Sequence, residues 1–85
     1  MKNFTVVSLD EATDDLASLW MDATDRDAVS AASDHVESQL ADDPFTQSAN
    51  LGGNLWMYEA PPLRYFYKPS IADRMVTILS VVRIE

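Results

Sequence analysis

Arg64, Phe66 and Lys68 alternate along the run Leu63-Arg64-Tyr65-Phe66-Tyr67-Lys68, and Arg83 lies near the end of the next apolar run. In an extended chain successive side chains point to opposite faces. Arg64, Phe66 and Lys68 therefore share one side, and Leu63, Tyr65 and Tyr67 share the other. In the last run Arg83 has the parity of Leu79 and Val81. If Arg64 and Arg83 emerge on one surface, they form a small cationic patch beside an aromatic ring. Such a patch can grip a phosphate or a carboxylate, and Phe66 can stack on a base. The plainer alternative is that these cations pair with acidic residues of the same chain or of a partner.

Other chemistries have no signature here. Gly52-Gly53 alone is not a phosphate loop, and there is no metal-binding histidine motif, Cys/His cluster or nucleophile elbow. With no cysteine there is neither a disulfide nor thiol chemistry. Asp34, Glu37, Asp42 and Asp43 read as a solvated helix end, since calcium sites need ligands at fixed spacing in a loop. No cofactor or metal is expected. His35 has no partner constellation and reads as a semi-exposed helix residue.

The elements that must position the cationic strand follow from periodicity. Phe4-Thr5-Val6-Val7 is a short β-branched strand. Ser8 to Glu11 matches a capping box. Ala12, Leu16, Leu19, Trp20 and Ala23 then form the inner stripe of a helix ending near Met21 or Asp22. Thr24 starts a second helix, with Asp27 as a capping partner. Its stripe is Ala28, Ala32, Val36 and Leu40, with Val29 beside it, and Asp43-Pro44 stops it. The short connection makes the two helices an antiparallel hairpin. Residues 44–53 read as an irregular loop. A strand from Asn54 to Ala60 follows, with Leu55 and Met57 on one face and Trp56 and Tyr58 on the other. Pro61-Pro62 connects it to the Leu63 strand, and Pro69 to Asp73 is the next turn. Met75 to Ile84 is almost continuously apolar, as in a strand covered on both faces. The order is β-α-α-β-β-β. It predicts a two-layer α+β fold with a helical hairpin packed on a mostly antiparallel twisted sheet.

Composition sets further limits. The 85 residues suit one domain, 1–85, and a chain this short has marginal stability. The apolar content of 47% excludes wholesale disorder. No apolar run is long enough for a membrane span, and the N-terminal run is too short for a signal peptide, so a cytoplasmic location is expected. The net charge of −8 is uneven: residues 8–43 hold eleven Asp or Glu against the single Arg26. That half repels a phosphate backbone and argues against generic nucleic-acid binding.

The helix end Leu40-Ala41-Asp42-Asp43-Pro44, the run Pro62-Leu63-Arg64-Tyr65-Phe66-Tyr67, the turn with Asp73-Arg74-Met75-Val76 and the strand Ile78-Leu79-Ser80-Val81-Val82-Arg83 together resemble the RelE/ParE toxin superfamily of type II toxin–antitoxin modules. The resemblance spans residues 4 to 84. It implies a toxin-like component that either cuts messenger RNA on the ribosome or poisons DNA gyrase, and that a cognate antitoxin neutralises. In the RNA-cutting branch an arginine at the position of Arg64 holds the scissile phosphate, which suits a fixed guanidinium. Arg83 lies close to a second basic site of the family. Phe66, Lys68, Tyr58 and Trp56 are the residues expected to meet a substrate or partner.

The chain departs from that pattern in three ways. The strand before Pro61 carries lysines in RNA-cutting members, and here it reads Leu-Trp-Met-Tyr-Glu-Ala. The basic and aromatic residues that follow the last strand in the family are not found after Arg83. The overall charge is opposite to that of a ribosome-binding toxin. The expected partners are therefore a cognate antitoxin or a second copy in a homodimer, with the ribosome, messenger RNA or gyrase only if the chain is active, and no membrane. The alternative reading is a non-enzymatic protein-binding module that keeps the fold.

Overall fold

Seven elements span residues 3–85, the part of the chain that the computed structural model describes. In order they are β1 (Thr5–Ser8), α1 (Asp10–Asp22), α2 (Arg26–Asp42), β2 (Ala49–Gly52), β3 (Leu55–Ala60), β4 (Leu63–Ser70) and β5 (Met75–Arg83). The sheet order is β1-β5-β4-β3-β2, with β1 parallel to β5 and every other pair antiparallel. The helical hairpin lies across one face, so the expected two-layer α+β architecture is the one found. No helix among the described residues is long and apolar enough to cross a membrane.

β4 and β5 are central because their alternation buries one side completely. Leu63, Tyr65 and Tyr67 of β4 and Val76, Ile78 and Val81 of β5 face the helices and are buried. They meet Val29, Ala32, Val36 and Leu40 of α2 and Ala12 of α1. The phenol of Tyr67 donates to the Pro44 carbonyl at 2.7 Å and also bonds the Ser48 hydroxyl. It thereby ties the segment after α2 to the sheet centre.

Five expectations about the elements need correction. Residues 44–53 are not wholly irregular, because Ala49–Gly52 forms the edge strand β2. That strand is exposed throughout and has no apolar alternation, so it carries no periodic signal. The capping box at Ser8 does not form. Ser8 stays in β1 opposite Ile78, and the Leu9 N–H donates to the Ile78 carbonyl at 3.0 Å, so α1 begins at Asp10 with Leu9 as its N-cap. Thr24 does not cap α2 either; Asp25 holds the N-cap position, and its carboxylate is engaged by Arg83. Along the stripes, Ala28 is exposed and Val29 replaces it in the core, while Trp20 is 42% exposed. Pro69 lies inside β4 opposite Val76, so the following turn is shorter than expected.

One irregularity in β5 decides where two arginines go. Phe66 pairs with Ser80 and Tyr67 with Ile78, so Leu79 is an extra residue. A bulge of this kind reverses the facing of everything beyond it. Val81 and Arg83 therefore turn toward the helices. The Val81 N–H donates to Asp15 Oδ2 of α1 at 3.2 Å. An α1 carboxylate thus satisfies a donor just beyond the bulge, where the ladder is disrupted.

Candidate functional site

The open face of the sheet is assembled from alternate residues of three strands. Register places Met57 and Glu59 of β3 beside Phe66 and Arg64 of β4, and these beside Ser80 and Val82 of β5. Lys68 lies opposite Thr77. Arg64, Phe66 and Lys68 share this face, as their alternation implies; Lys68 is exposed, and Arg64 and Phe66 are half-buried. With two residues between repeats, Arg64 and Lys68 stand roughly 13 Å apart along the strand, with Phe66 midway. The face thus offers a line of cation, ring and cation.

Arg64 is not free on this face. Its Nε donates to Glu59 Oε2 at 2.6 Å, and its Nη2 contacts the same oxygen. Both side chains remain partly exposed, at 37% and 38%. The pair is directly opposed across the β3–β4 ladder, where side chains of unlike charge attract. Glu59 occupies the guanidinium edge that a phosphate would use. An incoming oxyanion must displace a carboxylate of its own charge. Sequence reading passed over Glu59, although a signal existed. Pro61-Pro62 joins β3 and β4 in a tight turn, so Ala60 opposes Leu63 and Glu59 must oppose Arg64.

Arg83 does not join Arg64. The extra residue at Leu79 turns it to the helical side, opposite Leu63. There its Nη2 meets Asp25 Oδ2 at 2.7 Å, in the loop between the helices, and its Nε bonds the Glu85 carbonyl. The Arg83 hydrogen bond holds the Asp25 carboxyl below the usual carboxylate range, and Asp25 raises the guanidinium in turn. The proposed two-arginine patch is therefore split between opposite faces.

Tyr58 and Trp56 are also on the helical face, away from Phe66 and Lys68. Tyr58 is buried, with its phenol 2.8 Å from His35 Nε2. Trp56 is half-buried and packs edge-on against Phe45, with ring centroids 5.1 Å apart. Their expected contact with a substrate or partner does not fit this placement. Of Trp56, Tyr58, Phe66 and Tyr67, only Phe66 faces the open side of the sheet. Burial pushes the Tyr65 and Tyr67 phenols up from their ordinary value. No group of three or more His, Cys, Asp or Glu side chains able to hold a metal ion occurs among the described residues.

The arrangement of a two-helix hairpin over a β1-β5-β4-β3-β2 sheet, with an arginine on the open face, is a RelE/ParE-like fold. A chain of the toxin–antitoxin complex RelBE2 from Mycobacterium tuberculosis superposes on it with a TM-score of 0.82 at 19% identity, covering 100% of this chain and 97% of that one. A chain of the archaeal RelE–RelB complex from Pyrococcus horikoshii gives 0.73 at 14% identity, covering 96% of both. The YoeB/ParE toxin from Agrobacterium tumefaciens gives 0.69 at 17% identity, covering 94% of this chain and 98% of that one. No protein-family model matches the chain, and no curated protein matches it by sequence. The likeness is therefore one of fold.

Proposed function

We propose that this chain is the toxin-like component of a type II toxin–antitoxin pair, with Arg64 as its phosphate-holding residue and with catalysis weakened by Glu59. The observation that carries the reading is the similarity over the whole chain to a protein from a toxin–antitoxin complex. The open sheet face supplies one guanidinium and one ammonium, which can bind a phosphate diester, and an aromatic ring on which a base can stack. The carboxylate on this face, Glu59, is engaged by Arg64. Ribosome-bound messenger RNA is one target this chemistry fits, and gyrase is the other that the resemblance implies. The natural protein partner is a cognate antitoxin.

Expression without any partner tests the reading. Strong induction slows growth and yields cut transcripts or arrested gyrase, Arg64→Ala abolishes the effect, and Glu59→Gln strengthens it. Normal growth with both the native chain and Glu59→Gln sinks the toxin reading. That outcome favours the second reading, a non-enzymatic protein-binding module, for which the Glu59–Arg64 pair is the specific support.

A further inference from the structure

Apolar side chains run across the open face of the sheet. Register places Val7 of β1, Met57 of β3, Phe66 of β4 and Met75 and Val82 of β5 there. Val7, Met75 and Val82 are 38%, 37% and 39% exposed, and the helices pack on the other side. Apolar side chains scattered singly need no explanation, but a patch that crosses four neighbouring strands does. The charges of the molecule are arranged around this patch. The open face carries Arg64 and Lys68 against Glu59, whereas residues 8–43, which include both helices, carry eleven carboxylates against Arg26. The Glu59–Arg64 pair is also only half used. Arg64 places Nε and Nη2 on one oxygen, Glu59 Oε2, and among the described residues Arg64 Nη1 and Glu59 Oε1 have no partner.

We infer that the open face is where two copies of this chain pack sheet to sheet, with Arg64 of each copy meeting Glu59 of the partner subunit. A two-fold contact needs a self-complementary patch, and a face that holds an anion directly beside a cation meets that need. The four groups then close into one network, in which Nη1 and Oε1 find partners. Distance decides which face is used. Facing sheets pack about 10 Å apart, and a helical layer adds about 10 Å on each outer side, so the two anionic layers lie roughly 30 Å from each other. That is several times the screening length of about 8 Å at physiological salt. A contact through the helices would instead set eleven carboxylates against eleven. Size then sets the affinity. Five strands about 4.8 Å apart and the eight residues of β4 give a face of roughly 20 by 25 Å, so a dimer buries on the order of 1,000–1,200 Å² in total. That is the small end of specific interfaces, and a dissociation constant on the order of 10 μM is expected. The dimer covers the guanidinium that would hold a phosphate, which makes it a resting form. This consequence rests on the function proposed above; the contact itself does not.

The test uses the purified full chain in sedimentation equilibrium, with backbone amide shifts on dilution to report the face. The native chain is expected to dimerise, and dilution moves the resonances of residues 57–66 and 75–82 while those of residues 26–42 stay in place. Val82→Lys, at an exposed position and so compatible with folding, weakens the dimer at least about tenfold. Crossed charges separate a contact between copies from the pair within one chain. Glu59→Arg and Arg64→Glu chains each self-associate at least about tenfold more weakly than the native chain, and an equimolar mixture of the two restores a dimer. A native chain that stays monomeric at about 1 mM, a dimer that Val82→Lys leaves intact, a mixture that remains monomeric, or shifts confined to the helices would each overturn the inference. Expression of Val82→Lys, with Arg64 uncovered, keeps the two proposals apart. Growth arrest together with a monomeric native chain removes the dimer inference alone. Normal growth with Val82→Lys together with a native dimer removes the toxin reading alone.

Discussion

On one side of β4, Leu63, Tyr65 and Tyr67 are sealed beneath the helices; on the other, one residue away in each case, Arg64, Phe66 and Lys68 meet solvent to varying degrees. The buried side resolves its polar atoms against named partners, with one exception. Tyr67 donates to the Pro44 carbonyl and bonds the Ser48 hydroxyl, and Tyr58 meets His35. The Tyr65 hydroxyl has no hydrogen-bond partner among the described residues. The open side carries the Glu59–Arg64 ion pair. Stability therefore resides on one face of the strand, and the face proposed to bind a phosphate is the other.

The sharpest break of that comparison is a pair of truncations in the same strand. Leu63→Ala on the sealed face should cost about 2–5 kcal/mol in denaturant unfolding, while Phe66→Ala on the open face should cost about 1 kcal/mol or less. A smaller contrast lies within the sealed face. Tyr67→Phe strands the Ser48 hydroxyl and the Pro44 carbonyl and should cost about 1–3 kcal/mol, whereas Tyr65→Phe removes an unpartnered hydroxyl and should be neutral or stabilising. Equal losses for the two phenylalanines would contradict the hydrogen-bond assignment.

The smallest effects concern the ion pairs. Removing the exposed Glu59–Arg64 pair by Glu59→Gln should change stability by no more than about 1 kcal/mol. At the Arg83 pair the effect depends on pH. The Asp25 carboxyl titrates lower when folded, from its ordinary 3.8. Its contribution is present above that value and is lost as pH falls through the depressed one. Asp25→Asn should therefore be less stable than the native chain at pH 7, and the two should converge in acid. Thermal melts at several pH values measure this.

Much of the fold was legible because burial here follows simple periods. Period two in β4 separates Tyr65 and Tyr67 from Arg64 and Phe66, and the three- and four-residue spacing of Val29, Ala32, Val36 and Leu40 marks the inner face of α2. What could not be read is what breaks a period. The extra residue at Leu79 is apolar like its neighbours, so nothing in Ile78-Leu79-Ser80 announces it, yet it carries Arg83 to the far side of the sheet. Ser8 and Glu11 have the residue types of a helix cap, but strand pairing with Ile78 takes precedence. The site was half legible: the position of Arg64 follows from alternation, and its restraint by Glu59 follows from a turn length that the sequence also contains.

The parallel pairing of β1 with β5 has a consequence for synthesis. The first strand to leave the ribosome finds its only neighbour in the last one, and α1 rests chiefly on that same late strand. At typical elongation rates the two ends emerge some seconds apart. During that interval the anionic helices have no sheet centre to cover, so a nascent or truncated chain lacking Met75–Arg83 cannot yet display Arg64 on an ordered surface. Whatever this molecule does, it can begin only after Met75–Arg83 has been made and has paired.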